Sequence, residues 1–411
     1  MRAPRETAGT LAALAGAAAL AALGIQGGWL ATVSLQQDFA AYHTAARARA
    51  RGLDPYLNQV GAGGPWDGVA VYRHSRFLYP PLVADLFRPL AALPFAWAKA
   101  LFTAASLLGL IAAVLLARAE AIPALPAGVA LLVAAAWPPV FVALERGQID
   151  LLLFPLLAAA WRWRGRPLRA GFALALCALG KPFVLVMVPL LLLARRARWA
   201  TAMAAGLLAL ELVSLVVCGL PLNREYLTDV LPRAARWGEG GPEAWLLDGP
   251  ALASVGDQVE SGSARIDGTT FAQQVGDFRR NASLTRALAG EGPPATGMAL
   301  GLALLGGAAL AWSPRRRGDG AGWYWGGLLL GVAVAPVSWA MSLVWALPLF
   351  VAGRDAAALA QRSRLFALAA TFGAGLLGPW VPGAWPAAAI AGVAAAALWP
   401  PPGRPGAEAP R

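Results

Sequence analysis

Charged residues are scarce in this chain. They make up 14% of its 411 residues, against about 25% in soluble proteins. Hydrophobic residues reach 58%, and they occur in long runs separated by short polar stretches. This composition excludes an ordinary soluble domain and predicts an integral membrane protein.

Cysteine and histidine are almost absent. Cys177 and Cys218 lie in or at the end of apolar runs, so we interpret them as small core residues and not as a disulfide. His43 and His74 are the only histidines, which argues against a transition-metal cluster. We therefore expect neither a metal site nor another cofactor.

Acidic residues are outnumbered by basic ones. The chain has 34 Lys and Arg against 22 Asp and Glu, a net charge of +12. Such a balance often indicates nucleic-acid binding, but most arginines here flank hydrophobic runs. That placement is typical of orientation signals and lipid-headgroup contacts. We expect membrane lipids as partners and no nucleic acid.

The hydrophobic runs predict an all-α polytopic membrane protein with about twelve hydrophobic segments in a single domain, 1–411. The first segment, Thr10 to Leu30, is too long for a signal peptide and is expected to remain as a span. Arginines place both ends in the cytoplasm of a cytoplasmic-membrane protein. Residues 31–96 and 221–296 are expected to be two outward-facing loops, the first with juxtamembrane helices, and 400–411 a disordered tail.

An apolar stretch between two arginine clusters is broken at Gly180-Lys181-Pro182. A single crossing would leave the second cluster outside, against the positive-inside rule. We therefore expect two short helices that form a hairpin with Lys181 at its tip, in the outer half of the membrane. Such breaks are tolerated only against protein or a wet cavity.

Three polar features fall on the predicted outer side: Asp38 after the first span, the ERGQID stretch at 145–150, and Lys181. An ionisable residue at or in a membrane is a functional candidate by default. A carboxylate beside cations suits sugar transfer from an anionic lipid donor. The acid would take the acceptor's hydroxyl proton, and the cations would hold the leaving phosphate. A monophosphate leaving group makes a metal unnecessary.

Each candidate also has a structural interpretation. Asp38 could cap a helix or pair with Arg49, which lies on the same predicted helix face as Tyr42. Lys181 could extend to the membrane surface. Gln148 could contact a sugar or cap a helix, and the arginines of the first loop could contact the donor phosphate or lipid headgroups. These arginines are Arg73 and Arg76.

Several stretches resemble glycosyltransferase family 87, a family of membrane mannosyltransferases of the GT-C superfamily that use polyprenyl-phosphate-mannose. The first is similar to the family's D-F-x-x-Y-x-x-A-A … G-x-x-P-Y signature, and the others follow in the family's order. They are DFAAYHTAARARARGLDPY, FLYPPLVADLFRPLAALP, ERGQIDLLLFPLLAAAW, LGKPFVLVMVPLLLLARRARW and RRNASLTRAL.

The resemblance implies a GT-C fold, outward-facing chemistry, a lipid-linked hexose donor and Asp38 as the catalytic base. The acceptor would be a lipid or a glycan. We assign Lys181, Arg73 and Arg76 to the donor phosphate. The substrate contacts would be Tyr42, Gln148, Asn281 and Arg286.

The chain departs from the family pattern at two places. Asp150 stands where members usually have Asn, and Ala340 and Met341 follow Ser338-Trp339 where members often carry His. These departures leave the identity of the transferred sugar open, with arabinose or an aminosugar as alternatives to mannose.

A transporter or flippase of lipid-linked intermediates is a competing hypothesis. It would predict charges within the spans and inverted repeats, whereas the spans are nearly free of charge and show no evident repeat.

Overall fold

The computed structural model describes residues 3–34, 36–56, 77–119, 125–236, 281–289, 301–310, 321–335, 338–351, 358–381 and 383–398. Within these ranges every regular element is helical, apart from one isolated antiparallel bridge between Asn281 and Trp339. The all-α prediction is thereby confirmed for the described residues.

The helices of the first part of the chain lead from one long apolar helix to a reversal at residue 181. They are α1 (Ala3–Val33), α2 (Gln37–Ala50), α3 (Pro81–Leu86), α4 (Arg88–Ala91), α5 (Phe95–Ala119), α6 (Ala127–Ala135), α7 (Pro138–Arg146), α8 (Asp150–Arg162) and α9 (Pro167–Gly180).

The remaining helices follow that reversal, which opens with a 3-10 turn, Pro182–Val186. They are α10 (Met187–Leu193), α11 (Ala197–Cys218), α12 (Leu220–Glu225), a π-helical turn (Tyr226–Val230), α13 (Leu231–Ala235), α14 (Leu284–Ala289), α15 (Gly301–Leu310), α16 (Gly322–Val334), a 3-10 helix (Ala340–Ala346), α17 (Leu347–Val351), α18 (Ala358–Leu377) and α19 (Ala384–Ala397).

Only a few described helices are long enough to cross a membrane. They are α1 from Thr7, α5 and α11, and a fourth span results if α6 and α7 count as one despite a bend of 62°. The hydrophobic run that the sequence predicts as one span, about 124–144, is thus bent between α6 and α7. Pro138 and Pro139 start a new helix there, because proline fits the first turn of a helix but not its interior. The other apolar helices have 10–17 residues, so the number of twelve segments stays a prediction.

The long helices expose large apolar side chains along their length. Val216 is 86% exposed, Ile25 72% and Leu108 67%. Water would penalise such a surface, whereas lipid tails accept it. The exposed faces therefore agree with a membrane environment.

The chain reverses direction at Lys181, as the Gly-Lys-Pro break predicts. Trp199 Nε1, at the start of α11, donates to the carbonyl oxygen of Arg164, just before α9 (2.9 Å). Further along, Gly171 of α9 faces Ala202. The helices α9 and α11 therefore run in the same direction, so the segment between them returns to the side from which α9 started. Both arginine-rich turns lie on that side.

A tight turn connects α1 to α2 and sets where Asp38 points. Gln36 has a left-handed backbone (φ 52°), which a residue with a side chain adopts only when its surroundings hold it there. Its Nε2 donates to Thr103 Oγ1 (2.8 Å) and to the carbonyl of Leu144 (3.1 Å). Lys99 Nζ donates to the carbonyl of Ser34 (2.7 Å). The start of α2 is thus fixed to both α5 and α7.

The other end of α2 is tied to α3. Arg49 Nε lies 3.0 Å from Asp85 Oδ2, so the suggested pairing of Arg49 with Asp38 is wrong.

Between the two ends of α2, His43 is buried. It is 1% exposed and lies beside the ring of Phe95, with Nε2 3.3 Å from the carbonyl oxygen of Leu93. Burial lowers the pKa of His43 below its usual value, and the Leu93 hydrogen bond opposes this only in part.

We expect substitution at Gly128 to disrupt the packing of α1 on α6. A Cβ on Gly128 would overlap the carbonyl oxygen of Ala12 and lie 2.9 Å from Cα of Gly16. Gly128→Ala should lower stability by about 1–3 kcal/mol, measured as the apparent unfolding temperature in one detergent. Gly24→Ala is the control, because a Cβ there meets nothing within 4 Å. Equal unfolding temperatures for the two variants would contradict this packing.

We expect stability to fall in mild acid because of His43. A lowered pKa means that the folded protein holds this ring neutral. The stability that depends on the neutral ring is therefore fully present above about pH 6.5, and it is lost as the pH falls below that value. The loss should not exceed about 1.4 kcal/mol per pH unit. His43→Gln should remove this dependence, and His74→Gln should retain it. A wild-type unfolding temperature that is flat from pH 7 to pH 5 would contradict the assignment.

Candidate functional site

A buried ion pair joins α2 to the end of α7. Arg146 Nε lies 3.1 Å from Asp38 Oδ2, and Arg146 Nη2 lies 3.1 Å from Asp38 Oδ1, which makes the contact bidentate. Arg146 also donates to Gln37 Oε1. The side chains of Arg146 and Asp38 are 6% and 12% exposed. Two parallel hydrogen bonds fix the carboxylate in both position and orientation.

The Gln148 side chain connects the acid to a lysine. Its Nε2 donates to Asp38 Oδ2 (2.8 Å). Its Oε1 accepts from Lys181 Nζ (3.1 Å) and from the Tyr42 hydroxyl (3.0 Å), with the Tyr79 hydroxyl at 3.3 Å. Only the amide nitrogen can donate and only the oxygen can accept. The Gln148 amide is therefore held in one orientation, between Asp38 and Lys181.

Lys181, which contacts the Gln148 oxygen, forms a second ion pair with Asp150. Its Nζ lies 3.0 Å from Asp150 Oδ2. Asp150 Oδ1 accepts from Ser342 Oγ (2.7 Å), and its backbone carbonyl accepts from Trp345 Nε1 (3.3 Å). The Asp150 side chain is fully buried. The helix break at 181 thus directs a cation into the bundle, where an acid at the start of α8 compensates it.

Two tyrosines cover the ion pairs. The Tyr42 and Tyr79 hydroxyls lie 2.8 Å apart, and Tyr56 donates to the carbonyl of Tyr79 (2.9 Å). Burial raises the pKa of Tyr42 and of Tyr79. Both hydroxyls therefore keep their protons at neutral pH and act as donors.

Gly147 allows α7 and α2 to meet. It ends α7 with φ 67°, in the left-handed region that glycine adopts without strain. A Cβ there would lie 2.7 Å from Phe39 Cβ and 2.8 Å from Gln36 Cβ. Because Arg146 and Gln148 flank this glycine, both side chains reach Asp38.

The segment that begins at Asn281 is linked to Asp150 through residues 338–342. The Ala282 N–H donates to the carbonyl of Ser338 (2.8 Å), and Ser342 carries the chain back to Asp150. Asn281 Oδ1 accepts from the Ser283 N–H (2.9 Å), whereas Asn281 Nδ2 has no hydrogen-bond partner in the described part of the chain. Ser283 Oγ caps α14 at the N–H of Arg286, whose side chain is buried.

Four predicted site residues therefore lie together: Asp38, Tyr42, Gln148 and Lys181. Asn281 is linked to this group indirectly, through the segment that carries Ser338 and Ser342. A substrate contact for Arg286 stays a prediction. Arg73 and Arg76 lie outside the described residues.

Sequence reasoning missed the roles of three residues. They are Arg146 as the partner of Asp38, Asp150 as the partner of Lys181, and Ser342 as a donor to Asp150. The spacing of the ERGQID stretch was the available signal. Its arginine, glutamine and second acid are two positions apart, across the end of one helix and the start of the next.

The arrangement offers a carboxylate and a cation joined by one amide. Of the two acids, only Asp38 keeps an exposed side-chain surface, 12% against 0% for Asp150. Among the described residues, no group of three or more His, Cys, Asp or Glu side chains is placed to hold a metal ion.

Comparison with known families gives one finding for this chain. The model of glycosyltransferase family 87 matches residues 77–336, more than half of the sequence. The match includes Arg146, Gln148, Asp150 and Lys181, and it begins after Asp38. Comparisons with curated proteins and with solved structures gave no match.

We expect Gly147→Ala to disturb this site more than its backbone angle alone would explain. Gly52 has a similar φ of 71°, but a Cβ there meets nothing within 4 Å. Gly52→Ala therefore measures the conformational cost, about 1–2 kcal/mol, and Gly147→Ala adds the collision with α2. The apparent unfolding temperature should fall further for Gly147→Ala, and equal losses would show that close packing at Gly147 is not needed.

Proposed function

Because the chain belongs to glycosyltransferase family 87, a family of membrane glycosyltransferases, we propose a specific transfer reaction. The protein moves a hexose, with mannose as the expected sugar, from a polyprenyl-phosphate donor to a lipid or glycan acceptor. The reaction takes place on the outer face of the cytoplasmic membrane.

Asp38 is assigned as the base because its side chain is partly exposed. Its carboxylate retains contact with the surroundings, whereas Asp150 is fully buried and paired with Lys181. In the proposed step Asp38 accepts the proton of the acceptor hydroxyl. The hydroxyl oxygen bonds to the anomeric carbon as the bond from that carbon to the phosphate oxygen breaks, and the electron pair leaves with polyprenyl phosphate.

Of the two acids in the described cluster, Asp38 is the one that keeps exposed side-chain surface, which supports a single displacement. A retaining double displacement needs a second carboxylate as nucleophile, and the buried Asp150 is unsuited to that role. A β-linked donor would therefore give an α-linked product.

Lys181 is the proposed cation for the leaving phosphate. Two of its three N–H groups point to Asp150 and Gln148 in the described structure, and the third would donate to a phosphate oxygen. Arg73 and Arg76 remain candidates for the same phosphate on sequence alone. Tyr42 and Gln148 would orient sugar hydroxyls beside it.

The depth of the site supports a lipid-linked donor. Asp150 begins α8 and Arg162 ends it, a helix of 13 residues, or about 20 Å. The apolar core of a bilayer is about 30 Å thick. If the arginine turn lies at the inner surface, the acid and lysine lie below the outer one, where a lipid carrier can deliver its phosphate.

A transfer assay tests the proposal. Purified protein in detergent is given polyprenyl-phosphate-mannose with a labelled sugar and a membrane lipid extract as acceptor. We expect labelled product with wild type and a loss of at least about a hundredfold with Asp38→Asn, because a positioned general base contributes about 10²–10⁴-fold. Asp229→Asn is the control, since that acid is half exposed and forms its ion pair in the described structure with Arg233, one helical turn further along.

Removing Asp38 leaves the buried Arg146 charge without its carboxylate, which can destabilise the protein by itself. The unfolding temperature of each variant is therefore measured, and Asp38→Asn is repeated together with Arg146→Gln. Full turnover by folded Asp38→Asn would rule out the base. Transfer from other lipid-linked sugars but not from mannose would change the donor, and uptake into proteoliposomes without covalent transfer would favour a transporter.

A further inference from the structure

A second organised polar region lies at the opposite end of α8 from Asp150. There the turn after α8 borders a cavity of about 640 Å³. In the described part of the chain the cavity is lined by Arg162, Trp163, Arg164, Gly165 and Arg166. Its volume falls within the range of about 300–1,000 Å³ that small-molecule sites occupy. None of these residues takes part in the proposed transfer chemistry.

Aromatic rings hold two arginines next to this turn. The guanidinium carbon of Arg164 lies 5.0 Å from the Trp161 ring centre, and that of Arg196 lies 5.5 Å from the ring centres of both Trp199 and Trp323. We call these five residues the Trp–Arg cluster. The rings of Trp161 and Trp323 contact each other, with centres 6.0 Å apart, and Trp199 donates to the carbonyl of Arg164. The cluster therefore joins α8, α11 and α16.

This arrangement positions the guanidinium groups for an anion. Arg164 Nη1 donates to the carbonyl of Trp161 (3.3 Å), and each guanidinium carries five N–H donors in a planar fork that matches phosphate oxygens. Arg195 lies in the second arginine-rich turn, between α10 and α11, and has a left-handed backbone (φ 58°). For a residue other than glycine this backbone conformation is strained. The fold thus holds Arg196 against its two rings despite local strain.

Exposed apolar side chains lie directly beside the arginine turns. Leu168 and Phe172, in the first turns of α9, are 78% and 45% exposed, and Leu192 and Leu193, at the end of α10, are 53% and 44% exposed. A soluble anion would use only the arginines. A phospholipid would use both surfaces, because its acyl chains can lie on the leucines while its phosphate meets the guanidinium groups.

We propose that the Trp–Arg cluster and the adjoining cavity bind the headgroup of an anionic phospholipid. The lipid lies in the leaflet opposite the sugar-transfer site. Arg164 and Arg196 hold its phosphate, and the exposed faces of α9 and α10 contact its acyl chains. A zwitterionic lipid such as phosphatidylcholine binds less well, because its quaternary ammonium group adds a positive charge beside the arginines.

Lipid titrations of the full-length protein in detergent test this site. The apparent unfolding temperature is followed with phosphatidylglycerol, with phosphatidylcholine and with inorganic phosphate. We expect only phosphatidylglycerol to raise it. With Arg164→Gln and Arg196→Gln together, the affinity for phosphatidylglycerol should fall roughly tenfold or more, because each arginine near an anionic lipid contributes about 1 kcal/mol.

The matched control is Arg88→Gln together with Arg233→Gln, two arginines that lie outside the cluster and are 51% and 26% exposed. It should respond to phosphatidylglycerol as wild type does. An equal response of the cluster variant would overturn the proposal, and so would an equal effect of inorganic phosphate.

A measurement on wild type alone covers the case in which the cluster variant does not fold. Native mass spectrometry of protein in an equal mixture of the two lipids should show retained phosphatidylglycerol adducts in clear excess. Equal retention of the two lipids would overturn the site. This outcome does not depend on which sugar the protein transfers, so the two proposals fail separately.

Discussion

The buried ion pair between Arg146 and Asp38 is the interaction on which the candidate site depends. Neither charge could stay buried without the other, since an isolated ion in a low-dielectric interior is strongly destabilising. Their pairing requires the end of α7 to reach the start of α2. Gly147 allows that approach, and the left-handed backbone of Gln36 turns α2 toward it. Local backbone geometry here serves one electrostatic requirement.

The two ion pairs do not act as separate units. Gln148 donates to the acid of one pair and accepts from the lysine of the other, so displacing either pair removes a partner from the amide. The cluster contains two acids and two cations and is nearly neutral as a whole. Such a network tolerates burial only while complete. It therefore holds Asp38 and Lys181 at a fixed separation.

The sequence predicted features that depend on local chemistry. Long apolar runs predicted helices, and Gly180-Lys181-Pro182 predicted the reversal, because glycine and proline interrupt helices wherever they occur together. Asp38, Tyr42, Gln148 and Lys181 were expected on one side of the membrane and lie in contact. Their roles in transfer stay predictions, and the family match begins after Asp38.

Contacts between distant parts of the chain could not be predicted in the same way. Arg146 is 108 positions from Asp38, and its partner is decided by the bend between α6 and α7, which hydropathy does not report. Position on one helix face suggests Arg49 as a partner for Asp38, but the two are eleven residues apart, about 16 Å along the axis, and Arg49 pairs with Asp85 of α3 instead. Proline at 138 and 139 was visible in the sequence, yet its effect on the direction of α7 depends on the helices packed around it.

The shortness of α8 does not set how the protein meets the surrounding bilayer. Its 13 residues separate the acid–lysine cluster from the arginine turn by about 20 Å, roughly two thirds of an average hydrocarbon core. Because Asp150 and Lys181 are buried, the bilayer meets apolar side chains and not these charges at that depth. The longer apolar helices α1, α5 and α11 therefore set the hydrocarbon thickness that the protein matches, and the short α8 does not.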